Sequence, residues 1–205
     1  MNLEGKVAIV TGAAGGIGRA ITRELADQGA NVIAVDLDKE RIDVIAMEIR
    51  EAGRKAFAVQ ADVTNAGQVN QMVSQALESF QRIDILVNNA GGSGHIGVDQ
   101  IEDVSEELWD ATVDLNLKAA FLCCKAVVPT MKAQRYGKIV NFSSSSAFGA
   151  FGPRGTSAAR LPYAGAKAGI IGFSSQLAKD LGPFGINVNT VIPGFINTGP
   201  DARVG

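Results

Sequence analysis

Along the chain, short apolar runs alternate with stretches in which apolar residues recur at helical spacing. Val7 to Val10 has the signature of a buried strand, and Ile17, Ile21 and Leu25 then share one helix face. Asn31 to Val35 is a second strand ending in Asp36, followed by a helix from Lys39 to Ala52 that Gly53 closes. Lys55 to Val59 gives a third strand. Asn65 to Phe80 reads as a helix with Val69, Met72, Val73, Ala76, Leu77 and Phe80 inward, and Ile83 to Val87 as a fourth, apolar strand. A long helix starts at about Ser105, which can cap it with Glu106 and Glu107 at the positive end; Pro129 is expected to kink it or end its main part. Lys138 to Phe142, Tyr163 to Leu181 and Ile186 to Ile192 complete the series as strand, helix and strand.

Runs apolar on both faces, such as Ile85 to Val87, belong to parallel strands between two helix layers. The pattern predicts an α/β fold with a doubly wound, Rossmann-like parallel sheet. No linker, low-complexity stretch or internal repeat interrupts it, so residues 1–205 are read as a single domain. Ligands of such sheets bind beyond the C-terminal strand ends. Those ends carry Gly12, Asp36, Asp62, Asn88 to Gly91, Ser143 to Ser146 and Pro193 to Thr198.

Composition removes several classes of function. A 46% apolar chain can bury a sizeable core, and a formal charge of −2 without a stripe of Lys and Arg predicts no nucleic-acid and no membrane partner. No apolar stretch approaches the roughly 18 residues that span a bilayer. The start, Met1 to Lys6, lacks the basic-then-apolar pattern of a signal peptide, so the expected compartment is cytoplasmic. Cys123 and Cys124 sit side by side in an apolar helical pattern, which suits packing. His95 lies in a glycine-rich loop without a cluster of partners, so no metal is expected, and Trp109 is read as helix packing.

Candidate chemistry begins in the glycine turn from Thr11 to Gly18, which joins the first strand to the first helix. Backbone N–H groups at a helix N-terminus favour an anion, and glycines let a phosphate approach closely, although the same glycines would also serve a tight turn. Asp36, at the end of the second strand, can accept the hydroxyls of an adenosine ribose and repel a 2′-phosphate. Positions 13–17 and 37 hold no Arg or Lys, so NAD is favoured over NADP; a solvated turn residue is the alternative for Asp36. Asp62 and Val63 are placed to meet an adenine, or Asp62 or Thr64 starts the next helix. Tyr163 and Lys167, at i, i+4, share a helix face. A cation about 4 Å from a phenol at an effective dielectric of ~20 would lower its pKa by roughly three units, before desolvation, toward neutrality.

Taken together, Thr11-Gly12, Gly16 and Gly18, the run Asn88-Asn89-Ala90-Gly91, the serines after Phe142, the pair Tyr163 and Lys167, and Pro193-Gly194 resemble the short-chain dehydrogenase/reductase family, in order and spacing. The resemblance covers nearly the whole chain and is closest to 3-oxoacyl-carrier-protein reductases and related secondary-alcohol dehydrogenases. It implies that Tyr163 is the general acid/base, that Lys167 lowers its pKa and holds the nicotinamide ribose, and that Ser144, with Ser145 as runner-up, hydrogen-bonds the substrate oxygen. Asn116 matches the family's fourth catalytic member, which holds a water; a helix Asn bonding locally is the alternative. Gly12, Gly15, Gly16, Ile17 and Gly18 would form the pyrophosphate seat, with Thr11 bracing it. Asn89, Ala90 and Gly91 would border the ribose and adenine side. Pro193, Gly194, Ile196 and Thr198 would lie by the nicotinamide.

The implied reaction is hydride transfer between NAD(H) and a small-molecule secondary alcohol or ketone, in a homotetramer or homodimer built on the helices bearing Asn116 and Tyr163. Two alternatives stay open: an NADPH-dependent 3-oxoacyl-thioester reductase, and a catalytically silent NAD-binding sensor or scaffold. Two departures from the family pattern stand out. The distance from Ser144 to Tyr163 is longer than usual, which predicts a loop within Gly149 to Leu161 at the substrate mouth, where Arg154 or Arg160 could meet an anionic substrate or simply be solvated. The usual C-terminal helix and strand are also not found before Gly205, which suggests a shortened form of a longer protein.

Overall fold

Val7 and Ile9 point into one core while Ala8 and Val10 point into another, and all of them are buried. This period-two alternation with both faces apolar is what a parallel strand between two helix layers requires. The computed structural model describes residues 2–92, 100–149 and 160–196. Strands β1 (Val7–Thr11), β2 (Asn31–Asp36), β3 (Ala56–Gln60), β4 (Ile85–Asn88), β5 (Gly137–Phe142) and β6 (Ile186–Val191) pair in parallel in the order β3-β2-β1-β4-β5-β6. The chain winds outward from β1 to β3, then returns to β4 and winds the other way. The crevice therefore falls between β1 and β4.

Helices α1 (Gly16–Asp27) and α2 (Lys39–Glu51) cover one face, and α3 (Ala66–Phe80) and α5 (Ala119–Gln134) the other. Asp38 caps α2 through the Arg41 N–H at 3.2 Å, and Asn65 caps α3 through the Gln68 N–H at 3.1 Å. Ser105 starts α4 (Glu106–Val113) by accepting the Leu108 N–H at 3.2 Å. A π-helical turn, Asp114–Lys118, joins α4 to α5, and α6 (Leu161–Leu181) packs against β6. On the α1–α2 side the apolar covering stops at β4; Val140 and Phe142 are half-buried, and Asn187, Asn189 and Val191 are exposed.

Several elements differ from the sequence reading for identifiable reasons. In α1 the buried positions are Gly18, Thr22 and Ala26, with Ile17, Ile21 and Leu25 only half-buried, because the helix lies so close to the Gly12 loop that small residues must face the sheet. Pro129 does not end its helix, which continues to Gln134. Pro129 and Lys125, whose carbonyl loses its usual N–H partner, are both exposed, so water can satisfy the gap. The fourth strand begins at Ile85 because Asp84 is a fully buried carboxylate. Arg82 grips it with Nε and Nη2, both at 2.7 Å, the Val7 N–H donates at 3.0 Å, and Lys6 stands 3.6 Å away. Burial alone would raise the Asp84 pKa, but these donors and cations hold it below the ordinary carboxylate value. Cys123 and Cys124 are buried in the core, and burial pushes the Cys123 thiol up to about 12.

Candidate active site

The turn after β1 is built from short contacts. Gly12 adopts φ +68°, and a Cβ there would come within 2.8 Å of Asn89 Nδ2. A Cβ on Gly18 would lie 2.0 Å from the Gly12 carbonyl oxygen, whereas one on Gly15 meets nothing closer than that oxygen at 3.8 Å. Gly12 and Gly18 are thus required by the protein's own packing, and Gly15 leaves an open surface. Gly15 is also the N-cap of α1 and supplies no side chain to the first-turn amides. Thr11 Oγ accepts the N–H groups of Asn89 at 3.2 Å and Ala90 at 3.1 Å and donates to Val87 O at 3.3 Å, while Asn89 Nδ2 donates to the carbonyls of Thr11 and Gly12, each at 3.1 Å. The side chains of Thr11 and Asn89 therefore brace the loop.

A cleft of about 450 Å³ opens over this turn. Gly12, Gly15, Gly16, Ile17, Gly18 and Asp36 line one part, and Asp62 and Val63 lie beside them. Asn89, Ala90, Gly91, Ser144, Tyr163, Lys167, Pro193, Gly194 and Ile196 complete it. The predicted residues thus converge, with three exceptions. Asn88 turns inward, where it is buried against Asn141 and Cys124. Asn116 is buried behind the cleft, and Thr198 lies outside the described residues, as do His95 and Arg154. Positions 150–159 of the long loop also fall outside them. Arg160 is half-buried at the N-cap of α6.

Asp36 is nearly buried; one oxygen accepts the Ala14 N–H and the other the Asp38 N–H, both at 3.1 Å. Its carboxylate is thereby held at the cleft wall. Asp62 Oδ1 accepts the Thr64 N–H at 2.9 Å and hydroxyl at 2.7 Å, forming a turn ahead of Asn65, the true cap of α3.

At the other end, the Ser144 hydroxyl stands beside the Tyr163 phenol and draws its pKa down, while the same oxygen accepts the Ser146 N–H at 3.2 Å. Ser145 is exposed. Lys167 is buried, donates from Nζ to Phe142 O at 2.8 Å, and stands 5.6 Å from the Tyr163 ring centroid. Burial lowers the Lys167 pKa to about 8. Tyr163 is not lowered as its spacing from Lys167 suggested: burial raises its pKa, opposed only by the nearby Ser144 hydroxyl. Desolvation of the phenol outweighs the attraction of an ammonium that is itself buried and tied to the Phe142 carbonyl. Asn116 donates to Gly92 O at 2.8 Å and Thr112 O at 2.9 Å and accepts the Gly92 N–H at 3.1 Å. It clamps the strand end beside Gly91, where an added Cβ would come within 2.6 Å of Asn116 Oδ1 and 3.1 Å of Lys167 Nζ.

Leu37, Leu115 and Phe142 also line the cleft and were not singled out from sequence. Leu37 was findable as the residue after Asp36 at the end of β2. Leu115 reaches the cleft through the π-helical turn, which carries no sequence signature, and Phe142 acts through its carbonyl, which any residue would supply.

The model of the short chain dehydrogenase family matches residues 6–204. The 3-oxoacyl-(acyl-carrier-protein) reductase FabG of Thermotoga maritima is 42% identical over 97% of this chain and 77% of its own length. Cyclohexanol dehydrogenase of a Rhodococcus species is 42% identical over 96% of this chain and 76% of its own. Among solved structures, NAD+-bound xylitol dehydrogenase superposes with a TM-score of 0.88 at 33% identity, over 97% of this chain and 74% of that one.

Proposed function

The chain belongs to the short-chain dehydrogenase family, and on that premise we propose that it moves a hydride between NAD(H) and a secondary alcohol or its ketone, with Tyr163 as general acid/base. The observation that carries this reading is one cleft joining the uncapped N-terminus of α1 and the Asp36 carboxylate to Ser144, Tyr163 and Lys167. These residues fit a dinucleotide. Gly16 and Ile17 present amides for a pyrophosphate above the open surface at Gly15, whose own N–H turns to Gly12 O at 3.4 Å; Asp36 accepts ribose hydroxyls, and Asp62 and Val63 stand by the adenine. Asn89, Ala90 and Gly91 border the ribose and adenine side, and Lys167, Pro193, Gly194 and Ile196 take the nicotinamide and its ribose.

When bound, the nicotinamide supplies or accepts the hydride. The protein's share is proton handling and orientation. Tyr163 keeps its proton at neutral pH and delivers it to the oxygen of a carbonyl being reduced; in the other direction it takes that proton. Ser144, which lines the cleft with the phenol, holds the same oxygen. Lys167 lends positive charge to the developing phenolate and is kept in place by Phe142 O. Asn116, through Gly92, fixes the wall beside that ammonium.

NAD is preferred because Asp36 and Leu37 offer nothing to a 2′-phosphate. The FabG relative favours a second reading, reduction of a 3-oxoacyl thioester with NADPH. We infer a cytoplasmic homodimer or homotetramer. Absorbance at the reduced nicotinamide band, followed over a panel of secondary alcohols, ketones and 3-oxoacyl thioesters with both cofactors, separates these readings and excludes a silent sensor if turnover appears. Tyr163→Phe should retain NAD binding and lose at least about 100-fold in kcat. Turnover preserved in that variant contradicts the assignment.

A further inference from the structure

Beneath the cleft lies a chain of buried polar side chains that the proposed mechanism leaves unused. Asn141 of β5 donates from Nδ2 to Ser174 Oγ at 2.9 Å, and its Oδ1 accepts from Asn88 Nδ2 of β4 at 2.8 Å. Asn141 and Ser174 are both buried. Ser174 stands two helical turns beyond Lys167 on the same face of α6. The two residues after Asn141 hold Lys167 itself: Phe142 O accepts from Nζ at 2.8 Å, and Ser143 Oγ donates to Lys167 O at 2.7 Å. Consecutive residues at the end of β5 and just beyond it thus fasten one face of one helix.

Such a bond adds only about 1 kcal/mol to stability, and an apolar trio in place of Asn88, Asn141 and Ser174 could be nearly neutral. The chain even leaves Asn88 Oδ1 buried without a hydrogen-bond partner among the described residues, a cost that a purely stabilising arrangement would avoid. What a directional bond supplies is register. With side chains reaching about 5–6 Å from the helix axis, a 10° rotation of α6 displaces a side-chain tip by about 1 Å, enough to cost up to ~100-fold in a positioned reaction.

We propose that the Asn141–Ser174 hydrogen bond is a positioning device, fixing the rotation of α6 against β5 and hence the places of the Lys167 ammonium and the Tyr163 phenol. This rests on reading Tyr163 and Lys167 as the proton-handling pair. Lys167 is held low by burial, so loosening α6 and admitting water should raise its titration point from about 8. Tyr163 is the titratable group facing the ammonium; Asn116 of the π-helical turn and Gly91 after β4, which also approach it, are uncharged.

The test is 13C NMR titration of lysine-labelled, cofactor-free protein, with the Lys167 resonance assigned by its loss in Lys167→Arg, alongside kcat and KM at saturating cofactor. Ser174→Ala should raise the Lys167 titration point by about one unit and lower kcat about tenfold with KM little changed. Ser174→Thr, which keeps the hydroxyl, should restore both. A Ser174→Ala protein with an unshifted lysine and kcat within about twofold of wild type overturns the proposal, even if it melts earlier. A shifted lysine in a chain whose wild type turns over no substrate supports the positioning role and sinks the oxidoreductase reading. Should Ser174→Ala fail to fold, Ser174→Cys, with similar volume and a weaker bond, carries the comparison; if neither folds, the bond is a folding requirement and the proposal fails.

Discussion

A phenol whose proton is held by burial works in opposite senses for the two directions of a carbinol–carbonyl reaction. Oxidation needs the phenolate, so with Tyr163 raised above its ordinary value the oxidation rate should climb with pH from about 6 to 7.5, by up to tenfold per unit, while reduction stays level; above about 8, where Lys167 loses its charge, the climb should slacken and reduction should fall. Initial rates measured in both directions across that range check this; a flat oxidation profile contradicts it. Asp36 carries a second residue-scale prediction. Asp36→Ala should shift the ratio of kcat/KM for NAD over NADP toward NADP by about 10- to 100-fold, and an unchanged ratio would deny the ribose role. The same variant also strips the Ala14 and Asp38 N–H groups of their acceptor and should melt earlier. Asp36 was legible in sequence because a strand end followed by a carboxylate is a local pattern. The raised Tyr163 was not, since burial is contributed by residues far along the chain.

Glycines at the β1–α1 junction separate structural need from ligand need. Gly18→Ala places a Cβ 2.0 Å from the Gly12 carbonyl, a backbone atom that cannot yield without moving α1 from the sheet. It should cost about 2–4 kcal/mol, read in a denaturant melt. Gly15→Ala meets nothing closer than 3.8 Å, and its φ of −93° suits any residue. It should leave stability within about 0.5 kcal/mol yet weaken NAD binding, measured calorimetrically, if a phosphate sits on that surface. Unchanged affinity for Gly15→Ala would move the pyrophosphate elsewhere. Most elements were readable from periodicity, with the cap at Ser105 marking a helix start; the cap of α3 proved to be Asn65 rather than Asp62 or Thr64. The exceptions were Pro129, rescued by an exposed helix face, and Asp84, whose partners Arg82 and Lys6 flank different strands.

At the scale of the whole molecule, Trp109, Phe121 and Leu161 are large apolar side chains left exposed on α4, α5 and α6. Light scattering coupled to size exclusion should find two or four times the 21.3 kDa chain mass, and Phe121→Glu should reduce it. A wild-type monomer at micromolar concentration would contradict the inferred assembly. The sequence by itself determined the parallel sheet, its helix layers and the residues at the strand ends, because apolar period and glycine spacing act over a few residues. It also placed the glycine turn, Asp36 and the Tyr163–Lys167 pair on adjoining parts of one edge. Only tertiary structure decided which of those side chains face the cleft, with Asn88 turned inward and Asn116 clamped to Gly92. It alone set the proton affinities of Tyr163 and Lys167, because desolvation depends on β4, β5 and the π-helical turn closing around α6, which no local spacing encodes.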